Sequence, residues 1–235
     1  MFKDIFVAFG SISKIPVPIV KNINLKRSTI YFPLVGVLAS LINYLTFFLL
    51  KNILTLEQLS ASIMIIYYYL FQYFHFDGFV DIIDGFGAQI RSKEERIKIM
   101  KDSRTGAFAL LFGILYLIIY YSFLKEFILG CFFAPIFSRL SMVYLISISK
   151  PAKKEGLGSL YFPFKKKYTF YSTLITFLII PFGYKFVILG ILIAFFSAYI
   201  MKVNSYKKIN GITGDVIGAT CLISEILYLI LLKFI

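Results

Sequence analysis

The sequence predicts an all-α fold: a polytopic helical bundle embedded in a membrane, with about seven transmembrane helices and a cytoplasmic N-terminus. Three observations carry that expectation. Of the 235 residues, 59% are apolar, far more than a soluble domain of this length can pack away. The apolar runs approach the roughly 20 residues that a helix needs to cross a bilayer, and they lack the polar residues at helical period that a soluble amphipathic helix carries. The charges are clumped between the runs, with Lys and Arg heavily on one side.

The elements follow in chain order. The opening "MFKDIFVAFGSISKIPVP" carries Asp4, lacks a small-residue cleavage site and runs into prolines, so it reads as a retained interfacial segment and not as a cleaved signal peptide. Seven apolar spans come next, at 30–50, 58–74, 107–124, 127–148, 169–182, 184–201 and 216–233. Pro33 falls in the first turn of the first span, where a missing N–H is harmless. The fifth span is short and meets Pro181, so spans five and six are expected to form a tight hairpin.

With the N-terminus inside, the segments 1–29, 75–106, 149–168 and 202–215 face the cytoplasm and hold 20 of the 25 Lys and Arg residues. The other side holds Lys51, Lys125, Lys185 and Lys233, and Arg139 lies within span four. That asymmetry orients the protein. It also accounts for the net charge of +13 without a nucleic-acid partner. Cys131 and Cys221 both sit in apolar runs and read as packing residues, not as a disulfide or metal pair. Without a detectable repeat or linker, residues 1–235 form one membrane-embedded domain.

The chemistry is concentrated just past span two. The uncharged "MIIYYYLFQYF" runs directly into "HFDGFVDIIDGFGAQI", His75 to Ile90. Asp77, Asp81 and Asp84 are spaced i, i+4, i+7, which on a helix places them within about a 60° arc. Three like charges on one face at a membrane edge repel one another unless a cation neutralises them. Hard divalent ions take carboxylate oxygens, and Mg²⁺ typically joins one or two carboxylates to a substrate's phosphates. The expected cofactor is therefore Mg²⁺ or Mn²⁺. Gly78, Gly85 and Gly87, each costly to a helix, suggest close approach by a ligand or another helix. An acidic solvated face would explain neither these glycines nor the apolar residues between the acids. His75, the only histidine, falls off the aspartate arc, which argues against a ligand role, and it reads either as a structural residue or as a base or hydrogen-bonding group.

Three further motifs carry polar groups. In "MKDSRTGAF", Asp102 can cap the next helix or complete the metal site, and Arg104 can clamp a phosphate. The intervening "RSKEERIKIM" reads as a charged surface helix. In "PAKKEGLGSLYFPFKKK", Lys153, Lys154, Gly156 and Gly158 form either a phosphate-contacting loop or a lysine-rich inner loop that serves topology. In "NGITGDVIGATCLISEI", Asp215 opens span seven and Glu225 lies inside it, with Gly211, Gly214 and Gly218 nearby. An acid within a span faces a polar interior with a function or a partner, and Arg139 is a candidate partner for Glu225, for an aspartate or for a substrate phosphate.

These motifs together, in this order and with "KIPVP" and "FPLVG" near the start, resemble the cobalamin-5′-phosphate synthases, also called adenosylcobinamide-GDP ribazoletransferases. The likeness spans nearly the whole chain, and the D-G-x-x-D-x-x-D-G block after a histidine is its specific part. The sequence departs from the family's usual pattern in bulky Val80, Ile82 and Ile83, and in Leu222, where many members carry an acid. The resemblance implies a Mg²⁺-dependent enzyme of the bacterial cytoplasmic membrane, with its active site facing the cytoplasm. Such an enzyme joins adenosylcobinamide-GDP to α-ribazole, or to its 5′-phosphate, and releases GMP. On that reading Asp77, Asp81, Asp84 and Asp102 hold the metal. His75 and Arg104 act with the aspartates in catalysis. Arg104, Arg139, Lys153, Lys154, Gly156, Gly158, Asp215 and Glu225 meet the substrates. A homodimer, embedded in membrane lipid, is compatible with related membrane phosphotransferases.

Two other readings compete. A phospholipid-forming CDP-alcohol phosphotransferase would carry D-G-x-x-A-R at the start of the block, where this chain has Asp77-Gly78-Phe79-Val80-Asp81-Ile82. An ion-coupled transporter would place its acids at the bilayer midplane within inverted repeats. Most acids here lie at the membrane edge, and no repeat is present.

Overall fold

The computed structural model describes residues 2–89 and 92–234. Ile90, which ends the acid-rich stretch, and Arg91, which opens the expected surface helix, lie outside the described residues. The fold is helical: α1 (Phe2–Ile12), α2 (Leu25–Ser28), α3 (Phe32–Leu50), α4 (Leu56–Tyr67), α5 (Tyr73–Gly87), α6 (Lys93–Ile99), α7 (Ala107–Glu126), α8 (Gly130–Ile148), α9 (Lys167–Thr176), α10 (Tyr184–Ile209) and α11 (Gly214–Leu232). Among the described residues the only extended pairing is a single bridge between Pro151 and Ile212.

Among the described residues five helical stretches are long and apolar enough to cross a bilayer: Leu25–Leu50, Ala107–Glu126, Gly130–Ile148, Tyr184–Ile209 and Gly214–Leu232. The chain is thus a multi-pass membrane protein, and these five correspond to expected spans one, three, four, six and seven. The other two take different forms. Expected span two is α4, which passes through a π turn at Tyr68–Gln72 into α5. Expected span five is the ten-residue α9, which tightens into a 3₁₀ turn at Phe177–Phe182 around Pro181, too short to count as a span by length.

Helix α8 forms the centre. Its most apolar stretch is 83% buried inside the protein, against 28% for α7 at the periphery. Helices α3, α10 and α11 pack on α8. The outward faces stay apolar, with Phe48 and Leu49 on α3, Leu110 and Phe112 on α7, and Phe195 and Phe196 on α10 all exposed. This is the surface that lipid, not water, accommodates. Cys131 and Cys221 are free and buried, as expected.

The membrane edge is marked by α1 and the start of α5. Arg27 donates from Nε to the buried Asp4 at 2.6 Å, tying α2 to α1. The Lys14 ammonium lies 3.5 Å from the centre of the Tyr73 ring and 4.6 Å from that of Tyr69. A lysine among exposed tyrosines is the composition of a bilayer interface. Helix α5 continues past this belt to Gly87, carrying Asp77, Asp81 and Asp84. Its C-terminus is closed by Arg96 of α6, whose Nη1 donates to the carbonyls of Gly85, Phe86 and Ala88. A guanidinium there satisfies carbonyls that the helix leaves free, which gives the charged α6 a structural role.

Candidate active site

The aspartate spacing acts as the sequence predicts, because α5 is unbroken from Tyr73 to Gly87. A fourth carboxylate joins it from α11. Helices α5 and α11 touch backbone to backbone: a Cβ on Gly78 would lie 2.8 Å from the Asp215 Cα, and one on Gly218 would lie 3.1 Å from the His75 Cα. The Asp81 carboxyl is pushed up to about 7, first by burial and then by the charges of Asp77, Asp215 and Asp84. Four carboxylates therefore share one electrostatic neighbourhood.

Asp84 also has a structural duty. Its Oδ2 accepts the Gly106 N–H at 2.7 Å, at the N-terminus of α7. A side chain on Gly106 would collide with this carboxylate, which explains the glycine. Gly87, by contrast, has nothing within 4 Å of the place a Cβ would take, so no close approach accounts for it.

A cavity of about 530 Å³ opens beside these acids. Asp77, Asp215 and His75 line it together with Lys101, Lys153, Gly156, Gly158, Thr213 and Gly214. The loop reaches this position because Ala152 and Ile212 pair across the Pro151–Ile212 bridge, with the Ala152 N–H donating to the Ile212 carbonyl at 2.9 Å. A Cβ on Gly158 would lie 2.8 Å from the Gly214 nitrogen. The loop is thus pressed onto the start of α11, whose free N–H groups and dipole favour an anion. Burial holds the Lys153 ammonium below the ordinary lysine value, and Lys101 adds to this while Asp215 opposes it. Two crowded ammonium groups next to a helix N-terminus suit a phosphate.

A second cleft of about 480 Å³ runs between α5 and α7, walled by Tyr68, Tyr69, Tyr73, Phe76 and Gly113. Asp77 lines both spaces.

Several expected site residues stand elsewhere. Asp102 and Arg104 lie on the exposed turn before α7 and bond to each other, Arg104 Nη2 to Asp102 Oδ2 at 2.8 Å, with the Arg104 side chain 87% exposed. Hydrogen bonds from Arg104 hold the Asp102 carboxyl down to about 2. Neither residue lines either of these two cavities, and Asp215 takes the place expected of Asp102 beside the other acids. Lys154 is exposed and also outside both cavities.

Arg139 and Glu225, expected at the substrate, are fully buried in the bundle. The Arg139 guanidinium donates to the Phe71 carbonyl at 2.9 Å, to Ser138 Oγ at 3.0 Å and to the Tyr67 hydroxyl. The Tyr67 hydroxyl accepts from Gln72 Nε2 at 2.9 Å, and Gln72 Nε2 also donates to Glu225, which accepts from the Tyr120 hydroxyl at 3.2 Å as well. This network links the two opposite charges inside the bundle, and neither residue lines either cavity. Sequence reasoning missed Lys101, Thr213 and Gln72. Lys101 was visible within "MKDSRTGAF", but nothing in the spacing separates it from the other topological lysines.

Among the described residues no three His, Cys, Asp or Glu side chains enclose a ready metal position. The donor set nonetheless fits a hard divalent ion of the Mg²⁺ kind. Such an ion needs one or two carboxylates and takes its other ligands from water and substrate phosphate, not from a closed protein cage.

The family model described as Cobalamin-5-phosphate synthase matches residues 4–233. A protein of Thermosipho africanus named adenosylcobinamide-GDP ribazoletransferase is 38% identical, over 99% of each chain. Proteins of the same name from Thermosipho melanesiensis, 39% identical over 99% of each chain, and from Clostridium kluyveri, 32% identical over 99% of this chain and 96% of the relative, are also similar. No solved structure matches.

Proposed function

The chain belongs to the cobalamin-5-phosphate synthase family, and from that premise we propose that it transfers the cobinamide-phosphate group of adenosylcobinamide-GDP to α-ribazole, or to its 5′-phosphate, with release of GMP. It is an adenosylcobinamide-GDP ribazoletransferase of cobalamin synthesis. The reading is carried by one observation: carboxylates and crowded lysines meet in a single cavity at the membrane edge. A reaction at a diphosphate needs both kinds of group.

The acceptor's ribose hydroxyl attacks the cobinamide-linked phosphorus and passes its proton to a basic side chain of the cavity. A new P–O bond forms, the bond to the GMP phosphate breaks, and GMP leaves. Lys101, Lys153, the Gly156–Gly158 backbone and the start of α11 receive the anionic diphosphate. Asp77, Asp81 and Asp215 would hold Mg²⁺ or Mn²⁺, with Asp84 adding charge while it caps α7. An ion held there would supply charge neutralisation for the phosphate oxygens and polarise the phosphorus. The cavity is built from segments that carry the lysine excess, which supports an N-terminus and an active site on the cytoplasmic face of the bacterial inner membrane.

Purified protein in lipid, given adenosylcobinamide-GDP, α-ribazole and Mg²⁺, releases GMP in proportion to enzyme. Folded protein that releases none with either acceptor rejects this function and turns attention to the CDP-alcohol phosphotransferase chemistry.

A further inference from the structure

The single histidine carries an arrangement that the reaction scheme leaves unused. His75 is buried, lines the cavity, and its Nε2 has no hydrogen-bond partner in the protein. Its Nδ1 lies 2.8 Å from Gln72 Oε1. Gln72, one turn earlier in the π turn, is fully enclosed.

The orientation of the Gln72 amide is dictated by its other neighbours. Nε2 has two hydrogens, one for the Tyr67 hydroxyl and one for Glu225. The reverse orientation would press a carbonyl oxygen against a carboxylate oxygen. Gln72 therefore presents Oε1, an atom with lone pairs only, to His75. An imidazole nitrogen facing such an atom must carry hydrogen. In the neutral ring the other nitrogen is then bare. Glu225 is itself kept in place by Tyr120 and, through Tyr67, by Arg139.

We propose that Gln72 is a positioning residue that fixes His75 as the Nδ1–H tautomer, so that the Nε2 lone pair is reserved for the hydroxyl of the acceptor entering the cavity. The buried Arg139–Tyr67–Glu225 group is the anchor that sets the amide of Gln72. This assignment of the hydroxyl rests on the transferase reading above; the tautomer does not. The proposal gives purpose to an otherwise orphaned buried acceptor, since a polar atom left unpaired in the interior costs stability unless something arrives to use it.

Because the chain has one histidine, labelling with ¹⁵N-histidine gives a single imidazole to read by NMR in lipid nanodiscs. The wild-type protein is expected to show a protonated Nδ1 and an unprotonated Nε2. A protonated Nε2 with bare Nδ1, or an averaged pair of shifts, overturns the proposal without any variant being made. Gln72→Met, close in shape but without the amide, is expected to lose the fixed tautomer and to lower kcat about 10- to 100-fold, with the KM for adenosylcobinamide-GDP unchanged. A Gln72→Met enzyme with averaged shifts and wild-type kcat overturns the positioning role. If Gln72→Met does not fold, the wild-type shifts on adding α-ribazole decide: Nε2 is expected to move and Nδ1 to stay, and an unmoved Nε2 under saturating acceptor overturns the contact. Wild-type GMP release with the wrong tautomer rejects this inference alone. The right tautomer without GMP release rejects the transferase reading.

Discussion

The spacing between α5 and α11 is set by Gly78, and Gly78→Ala tests whether that spacing carries the chemistry. The added Cβ would meet three backbone atoms of Asp215, its Cα at 2.8 Å, its oxygen at 3.0 Å and its carbonyl carbon at 3.3 Å. Ordinary carbon contacts lie at about 3.5–4.0 Å, so the helices must part by about 1 Å, because backbone cannot swing aside as a side chain would. Overpacking of this kind costs about 1–3 kcal/mol, and the better helix propensity of Ala returns about 1 kcal/mol. The net loss of stability is about 0–2 kcal/mol, and the protein still folds. Activity suffers more, since Asp215 moves relative to Asp77 and Asp81, and a misplacement of about 1 Å in a reacting geometry costs about 10²-fold. GMP release gives the rate. Stability is followed with a thiol-reactive fluorogenic dye, because the chain has no Trp and its two cysteines are fully buried. Gly87→Ala, at an open position on the same helix, is the control and keeps full activity. Full turnover in Gly78→Ala, or an equal loss in Gly87→Ala, refutes the reasoning.

Four other outcomes follow from the structure. Asp81→Asn keeps the volume and removes the charge at the centre of the carboxylate group. Turnover falls by at least about 10³-fold while membrane insertion is unchanged, and wild-type activity at limiting Mg²⁺ would remove Asp81 from the site. With its carboxyl pushed up to about 7 in the metal-free protein, Asp81 binds a proton in competition with the ion. The half-saturating Mg²⁺ concentration is therefore expected to rise about 10-fold from pH 8 to pH 6, and a flat profile contradicts it. The same raised value opposes folding of the metal-free protein as pH climbs from the unfolded value towards 7, so the metal-free melting point is higher at pH 6 than at pH 8. Arg139→Met and Glu225→Gln each strand a buried partner and lower stability by about 3–5 kcal/mol. The double variant loses clearly less than the two together, and strictly additive losses in the dye assay would show that the pair is uncoupled.

The spans and the acid block were legible because each rests on local pattern. Apolar length reveals α3, α7, α8, α10 and α11, and the i, i+4, i+7 spacing reveals one face of α5. What escaped depends on which helices touch. Asp215 reads in the sequence as a substrate contact at the head of the last span, and only the α5–α11 contact at Gly78 places it with Asp77 and Asp81. Asp102 and Arg104 looked like ligand and clamp because both sit in a conspicuous motif, yet two residues apart on a turn they satisfy each other. Arg139 reads in the sequence as a partner for a buried acid or a substrate phosphate, and both it and Glu225 as substrate contacts; the structure joins them through Tyr67 and Gln72 inside the bundle, outside the lining of both cavities. Linear sequence shows that a charge lies within a span but not whether the bundle closes around it. The count of spans differed where helix type changed: the π turn and the 3₁₀ turn leave apolar composition intact while altering length and direction.

The π turn at Tyr68–Gln72 links the two halves of this molecule. It places one extra residue in the helical path, which turns all that follows by about 100°. Upstream, α4 packs on α3; downstream, the Gly78 face of α5 meets α11, with the aspartate arc beside that contact. Such a turn frees backbone carbonyls that need other partners when they are buried. Both have partners. The Leu70 carbonyl accepts the Lys14 N–H at 2.7 Å, which docks the segment after α1 at the membrane edge, and the Phe71 carbonyl accepts from Arg139 at 2.9 Å. The buried arginine thus has a reason to exist beyond its pairing with Glu225: it repairs the backbone where the helix changes pitch. The same turn holds Gln72 against His75. One irregular turn therefore aims the carboxylates, accommodates the arginine and orients the imidazole, and a regular α-helix through these residues would lose all three together.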